Sequence, residues 1–332
     1  MQPENKFGSF LDHGLAATTP YPLNVHIESA QGVWLKREGG KKLFDAISGV
    51  GVSNFGHGHP DISAALHQQI DSNLHTMVYG EFHHKSTVSA AERLTSMLPK
   101  TLNAVYFVNS GSEAVEGALK LAKRITGRSK ILACTGGYHG NTTGALSVSS
   151  NTERKAPFLP LLPEVAFIKF NDVSSLQEID STVACMIVET IQGDAGVQIP
   201  SPTWMKLLRE ACTKSGTMLI LDEIQCGMGR TGMPFAFEAF DIEPDILCLG
   251  KALGGGMPIG AFVSSRENMS KLSHSPVLGH ITTFGGHPVA CAGASAALGL
   301  LQKMNWTEVE RKGELWEKRL KSHPEVKEVR RI

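Results

Sequence analysis

Two apolar runs in the second half of this 332-residue chain each end in an ionisable side chain. Met218–Leu221 reads as a buried strand and leads into Asp222, Glu223, Ile224 and Gln225. Asp245–Leu249 reads as a second strand and leads into Gly250-Lys251 and then Gly254-Gly255-Gly256. Singly, an acid after a strand is equally a helix cap or a solvated turn, and a lysine in a glycine loop is equally surface. Together, on neighbouring strands, they set a carboxyl and an amine at the C-terminal edge of a sheet, where open α/β sheets bind ligands. An amine that forms a Schiff base, opposite an acid that keeps a ring nitrogen protonated, is a pair with a definite chemistry. Gly250-Lys251-Ala252 is not a phosphate-binding P-loop, which needs Gly at 245, where Asp stands, and Ser or Thr at 252.

That pair is what pyridoxal phosphate (PLP) requires. LDEIQCGMGRTG (221–232) followed by LGKALGGGMPIGA (249–261) resembles the signature of the class III, or omega, aminotransferases of PLP fold type I, and further likeness runs from about residue 20 to the end. The resemblance implies that Lys251 is the Schiff-base lysine and Asp222 the partner of the pyridine nitrogen, the two catalytic residues. It also implies that Gln225 lies near the cofactor's phenolic oxygen and that Ile224 packs on a ring face. Family members of the ornithine, acetylornithine, 4-aminobutyrate and alanine–glyoxylate types share this signature.

Other stretches supply the rest of a site. AVYFV (104–108) reads as a strand, Asn109-Ser110-Gly111-Ser112 as a turn, and the following residues as an amphipathic helix with Ala114, Leu119, Leu121 and Ala122 on its packing side. A strand, a Gly/Ser turn and a helix N-terminus offer free N–H groups to an anion, although Ser110 or Ser112 serves equally as an N-cap. By resemblance, Gly111 and Ser112 bind the PLP phosphate. After a strand at Ile131–Cys134, the resemblance puts Tyr138 in the family's aromatic position, where a ring stacks on the pyridine face, a buried core tyrosine being the alternative, and puts His139 beside it in the cofactor site. Asn141 stands where many members carry a carboxylate-gripping arginine, so ornithine-type recognition is not assumed. The strand in 186–200 ends in Glu189, a further cofactor-site residue, and is followed by Asp194 where the family usually has glutamate. Thr283, in HITTFGG (280–286), resembles the residue that reaches the PLP phosphate of the neighbouring subunit, which implies a homodimer. Tyr21, Ser53, Asn141 and Asp194 are the substrate-side candidates, ordinary turn residues being the alternative for Tyr21 and Ser53.

Between about residues 50 and 300, strands alternate with helices, including 84–98, 203–215 and 288–304, and imply a doubly wound, mostly parallel sheet. The fold class expected is therefore α/β, with residues 49–304 forming the large PLP-binding domain. A smaller α+β domain is expected from both chain ends. Residues 1–48 supply its N-terminal part, with a meander over 20–48 containing a Gly39-Gly40 turn; residues 305–332 begin its C-terminal part, with a helix over 306–321 and a strand over Glu325–Ile332. By resemblance, a further C-terminal region beyond Ile332 would complete that domain and supply an arginine for a substrate carboxylate.

Composition removes several other classes. Lys+Arg and Asp+Glu are equal at 32 each, so no nucleic-acid partner is expected. MQPENKFGSFLDHGLA has no apolar segment after its charges, so no secretory signal is expected. The run Val289–Leu301 is too short to cross a membrane and reads as a packed helix. The 6 cysteines contain no C-x-x-C and sit mostly in apolar runs, as buried thiols in a reducing cytoplasm would. His57-Gly58-His59 has no third ligand in view, so no metal is expected. The activity implied is transfer of an amino group from an amino acid or omega-amine to a 2-oxo acid by ping-pong half-reactions. Two alternatives stay open: another PLP reaction on this scaffold (aminomutase, decarboxylase or phospho-lyase), or a truncated, catalytically weak PLP-binding subunit.

Overall fold

The computed structural model describes residues 14–16, 18, 19, 21–77 and 80–332. Residues 1–13, which belong to the expected small domain and to the stretch read for a signal, lie outside them.

Three short antiparallel strands, β1 (Ile27–Gln31), β2 (Trp34–Arg37) and β3 (Lys42–Phe44), form the meander expected over 20–48. Next come α1 (Pro60–Ser72), started by Pro60 at its first turn and capped by His59, and α2 (Lys85–Ser96). The main series follows: β4 (Ala104–Val108), α3 (Gly111–Thr126), β5 (Lys130–Cys134), α4 (Thr143–Val148), β6 (Val165–Ile168), β7 (Val183–Glu189), α5 (Pro202–Ser215), β8 (Met218–Asp222), β9 (Ile246–Leu249), β10 (Gly260–Ser264), α6 (Pro288–Leu301) and α7 (Trp306–Lys321). The last seven strands make one sheet in the order β4-β10-β9-β8-β7-β5-β6. Only β10 runs against the others, pairing antiparallel with both β4 and β9.

The period-2 pattern of the central strands fixes which helices cover which face. Ile220, Ile246, Cys248, Cys185 and Ile187 turn toward α3, where Ala114, Val115, Ala118, Leu121 and Ala122 are fully buried. Leu219, Leu221, Leu247, Leu249, Met186 and Val188 turn to the other face, against Trp204, Met205, Leu208 and Cys212 of α5 and Cys291, Ala294 and Leu298 of α6. Every residue of β7 is buried, as a central parallel strand covered on both faces must be. α6 is buried along most of its length and built from small residues, so its backbone lies close to the glycine loop after β9. A methyl at Gly293 would stand 2.6 Å from the Gly254 carbonyl oxygen.

The meander joins this unit through a two-way backbone bridge between Gly32 and His57, with N–H···O distances of 2.8 Å, and through the Asp45–His57 pair, also at 2.8 Å. Its outer side chains meet α7, where Phe44 stacks on Trp316 at 6.2 Å. The strand expected over Glu325–Ile332 does not form. No neighbouring strand edge receives it among the described residues. Instead the segment is held by its arginines, Arg331 on Glu310 and Glu317 of α7 and Arg330 on the Gly196 carbonyl. β6 and β10 were not anticipated. No helix among the described residues is long and apolar enough to cross a membrane.

One contact decides how α3 seats on the sheet. Gly117 faces the Phe262 ring, and a methyl there would overlap it. Phe262 is fully buried and stacked on Tyr106 at 5.1 Å, so it has nowhere to retreat. In a free helix Gly→Ala gains about 1 kcal/mol, whereas overpacking a filled core costs about 1–3 kcal/mol. Gly117→Ala is therefore expected to lower the urea midpoint of unfolding. A midpoint at or above the parent's would show that α3 can lift from the sheet.

Candidate active site

The site residues collect at one edge because of strand direction. In the parallel register Glu189 pairs with Asp222, and Asp222 with Cys248, so β7, β8 and β9 end side by side. β4 runs the same way and delivers Ser110–Ser112; β5 delivers Tyr138 and His139. β10 runs oppositely, so it begins at this edge, where Gly260 meets Ser110 so closely that any side chain would strike the Ser110 carbonyl.

Asp222 is 4 % exposed and lies 2.7 Å from His139 Nδ1. Facing a carboxylate, that nitrogen acts as the donor. The other carboxylate oxygen accepts from the Ile224 N–H at 3.0 Å. His139 Nε2 is buried without a hydrogen-bond partner. Glu189, one strand over, accepts from the N–H groups of Tyr138 at 2.9 Å and Gly193 at 3.1 Å. Burial nevertheless pushes its pKa up to about 7, helped by the Asp222 charge and opposed by His139 and the two N–H groups. Glu223 points away from this group. It accepts from Thr190, Ala236 and Phe237 and ties β8 to the short 236–240 helix.

Lys251 follows β9 in the left-handed region, with φ of +46°. Such a backbone costs about 1–3 kcal/mol and persists only where its surroundings impose it. Burial is the main cause lowering its ammonium pKa, and the Arg230 cation adds to that, while Asp222 and Glu189 oppose it. More of Lys251 is therefore a free amine near neutrality than in an ordinary lysine. Gly51, at φ +80°, brings the 48–54 loop onto it: a methyl at Gly51 would stand 3.8 Å from Lys251 Cδ and 3.6 Å from Gln225 Cγ. Arg230 pins that loop through Ser48 Oγ and Asn54 Oδ1.

At the start of α3, the Ser110 hydroxyl caps the Glu113 N–H at 3.2 Å, and the Glu113 carboxylate reaches back to the Asn109 N–H at 2.8 Å. The N–H groups of Gly111 and Ser112 then have no acceptor among the described residues. Ile224 lies against both Gly111 and Gly250, where a methyl would approach it to 2.9 and 3.2 Å. Tyr138 bonds through its hydroxyl to Asn141 Nδ2 at 3.2 Å, and the Arg154 guanidinium sits 5.8 Å from its ring centre. Arg154 is also paired with Asp194 at 3.2 Å.

Asp222, His139, Glu189, Ile224, Gln225, Lys251, Gly111, Ser112 and Tyr138 thus converge on one edge, with Asn141 and Asp194 at its rim and Ser53 in the overlying loop. Two of the sequence candidates lie apart from this group. Tyr21 is 86 % exposed, its N–H held by Thr19. Thr283 is exposed beside Phe284, next to Thr282, which accepts from Asn109 Nδ2 at 2.8 Å. His57 pairs with Asp45 and His59 caps α1, so each has a structural partner. Arg154 and Arg230 were unassigned in the sequence; Arg230 sat inside the GRTG motif, while Arg154 had no local signal. The set fits a group that carries a phosphate, a basic ring nitrogen and an aldehyde. Open helix N–H groups suit the phosphate, the Asp222 carboxylate the ring nitrogen, and an amine of lowered pKa the aldehyde. The orphaned His139 Nε2 sits beside them.

Known proteins resemble this chain in sequence and fold. The family described as aminotransferase class-III matches residues 16–332. An acetylornithine aminotransferase of Methanopyrus kandleri is 41% identical over 293 residues, 88% of this chain and 74% of its own length. The ornithine aminotransferase of Toxoplasma gondii superposes with a TM-score of 0.89 at 32% identity, covering 97% of this chain and 78% of its own. A second structure of that enzyme, described as having partial occupancy of PLP at the active site, gives 0.86 at 31% identity over 96% of this chain and 78% of its own.

Glu189 generates a pH prediction. Its native pKa, about 7, lies above the 4.5 of an ordinary glutamate. Between those values the native state retains a proton that the unfolded chain has released, so stability falls as pH rises through that window. Glu189→Gln is expected to flatten this decline, read as the urea midpoint of the cofactor-free chain across the window. An unchanged slope would show that Glu189 is ionised throughout.

Proposed function

Because the chain belongs to the class III aminotransferases, we propose that Lys251 and Asp222 are its catalytic pair and that the edge formed by β4, β5, β7, β8 and β9 is its active site. The protein is a PLP-dependent aminotransferase that moves an amino group from an amino donor to a 2-oxo acid. PLP supplies an aldehyde that takes an amine and a cationic ring that accepts electrons. The observation that carries the residue assignment is the convergence of a buried Asp222–His139 pair, a lysine of lowered pKa and an open helix N-terminus on one edge.

The roles proposed are those the resemblance to the family implies, and the geometry of this edge is compatible with them. Gly111 and Ser112 hold the phosphate with backbone N–H groups and the helix dipole. Tyr138 and Ile224 flank the ring, and Gln225, wedged between Gly193 and the 48–54 loop, lies at its phenolic oxygen. Asp222, oriented by His139, keeps a proton on the ring nitrogen. Lys251 would hold the cofactor's aldehyde carbon through its Nζ, and its freed amine would be the group that takes up and gives back the proton of the donor's Cα. The 48–54 loop excludes water from Lys251. The donor is an amino acid of the kind handled by the acetylornithine and ornithine enzymes, with Asn141 setting a different carboxylate contact. Thr283 reaches the phosphate of a second copy, whose contact covers the exposed Ile281 and Phe284, and the buried thiols suit a reducing cytoplasm.

A panel of amino donors with pyruvate, 2-oxoglutarate and glyoxylate tests the reading. Lys251→Ala is expected to lose the visible absorption of the lysine-bound cofactor and nearly all turnover; a retained band would assign the cofactor to another lysine. Asp222→Asn keeps the shape and loses the charge. Breaking a buried charged pair costs about 2–5 kcal/mol, equivalent to roughly 30- to several-thousand-fold in turnover if felt in the transition state. Unchanged turnover would leave Asp222 a structural acid. Sedimentation is expected to give a dimer or larger, and a fully active monomer would remove the role of Thr283.

A further inference from the structure

We infer that Arg154 is the residue that receives a substrate carboxylate, with Asp194 as the counter-ion it exchanges for that carboxylate. The inference rests on the active site proposed above and names a specificity residue within it. A cavity of about 220 Å³ opens beside Tyr138 and is lined by Gly137, Tyr138, Asn141, Ser150, Arg154 and Asp194, among others. Arg154 is the one cation among its lining residues and Asp194 the one acid. Two contacts place the guanidinium at this cavity, and a third fixes the ring it lies over. It lies over the Tyr138 ring, 5.8 Å from the centre; it bonds to Asp194 at 3.2 Å; and the Tyr138 hydroxyl is held at 3.2 Å by Asn141.

Arg154 is therefore oriented by a ring and an acid, not extended into solvent. Both members of the pair are 54% exposed. A half-exposed pair of this kind is weak and exchanges readily. A ligand carboxylate can take the place of Asp194 while the guanidinium keeps its place on the ring, and planar two-point recognition of a carboxylate is what a guanidinium does best. Asn141 Nδ2, next to the same opening, adds a neutral donor. Its backbone N–H approaches Ser112 Oγ at 3.4 Å, so Asn141 lies between this cavity and the turn proposed for the phosphate.

The test uses the full chain and two readouts. In the first, glutarate, an unreactive dicarboxylate, is titrated calorimetrically into parent, Arg154→Gln, Arg154→Lys and Asp194→Asn proteins. Arg154→Gln is expected to weaken binding about 5- to 30-fold, the effect of one partly exposed charge-assisted contact. Arg154→Lys is expected to recover part of it, and Asp194→Asn, which removes the competing acid, to tighten it. The second compares two donors of equal chain length, 4-aminobutyrate and n-butylamine, in the cofactor-loaded enzyme. The ratio of their kcat/KM values is expected to fall by a similar factor in Arg154→Gln, chiefly through KM. Equal loss for both donors would mean that Arg154 only supports Tyr138, and would overturn the assignment. So would unchanged glutarate affinity in Arg154→Gln, or no glutarate binding by the parent. Should the parent transaminate no donor at all, the proposed activity fails, and the glutarate titration still decides Arg154.

Discussion

A carboxylate held at 4 % exposure in the middle of a sheet edge needs compensation, and the pairing of Asp222 with His139 supplies it. An unpaired buried charge costs several kcal/mol and would drive its own protonation. His139 donates to one oxygen and the Ile224 N–H to the other, so the acid can stay at the end of β8 without leaving the core. Much of the site depends on that pairing. The loop after β5 must return over the end of β7 to bring His139 into reach, and in doing so it presents Tyr138 to the same opening and passes its N–H to Glu189. One hydrogen bond thus sets the path of the segment that carries both the ring and the imidazole.

Close backbone approach is the second constraint, and it explains where glycine is needed. The 48–54 loop can turn over Lys251 because Gly51 adopts a positive φ that residues with a Cβ rarely take. The Lys251 loop can lie against α6 because Gly293 has no Cβ to meet the Gly254 carbonyl and the residues around it are small. Arg230 then locks the overlying loop through Ser48 and Asn54 with no carboxylate partner among the described residues, which keeps a positive field near the lysine. The same cation that fastens the loop also lowers the proton affinity of the amine beneath it.

The large sheet was legible because its central strands are buried on both faces and therefore read as unbroken apolar runs ending in polar residues. Met218–Asp222 and Ile246–Leu249 are of this kind, and the edge strand Ala104–Val108, only partly buried, is likewise an apolar run. β10 escaped notice because its five residues begin with Gly260 inside a glycine-rich motif, which reads as loop. The strand expected over Glu325–Ile332 rested on local sequence alone, whereas a strand needs an edge to pair with; Arg331 found α7 and Arg330 the Gly196 carbonyl instead. Within the site, Asp222 and Lys251 declared themselves by motif. Arg154 did not, since Asn151–Lys155 is by itself a polar turn; it acquires meaning only when folding sets it between Tyr138 and Asp194. Glu223 and Asp222 are adjacent in sequence and equally acidic, and only the strand's pleat separates a structural tie from a site acid.

The three acids at this edge show how environment divides one chemical group into different tasks. Asp222 has a cation-capable partner in His139. Glu223 is fully buried and its pKa is pushed up to about 7, even though three donors from Thr190, Ala236 and Phe237 favour its anion. Glu189 lies between these cases: two N–H groups hold it, the Asp222 charge pushes against it, and the Lys251 charge feels it in turn. Burial raises the proton affinity of Glu189 and lowers that of Lys251, so the two shifts bring an acid and an amine toward the same neutral range. Protonating Glu189 removes a negative charge that favours the ammonium of Lys251, and so makes the free amine easier to reach. The edge therefore does more than position a nucleophile. It couples the proton on Lys251 to a neighbouring carboxyl whose proton affinity burial has raised, so a change of charge on either is felt by the other.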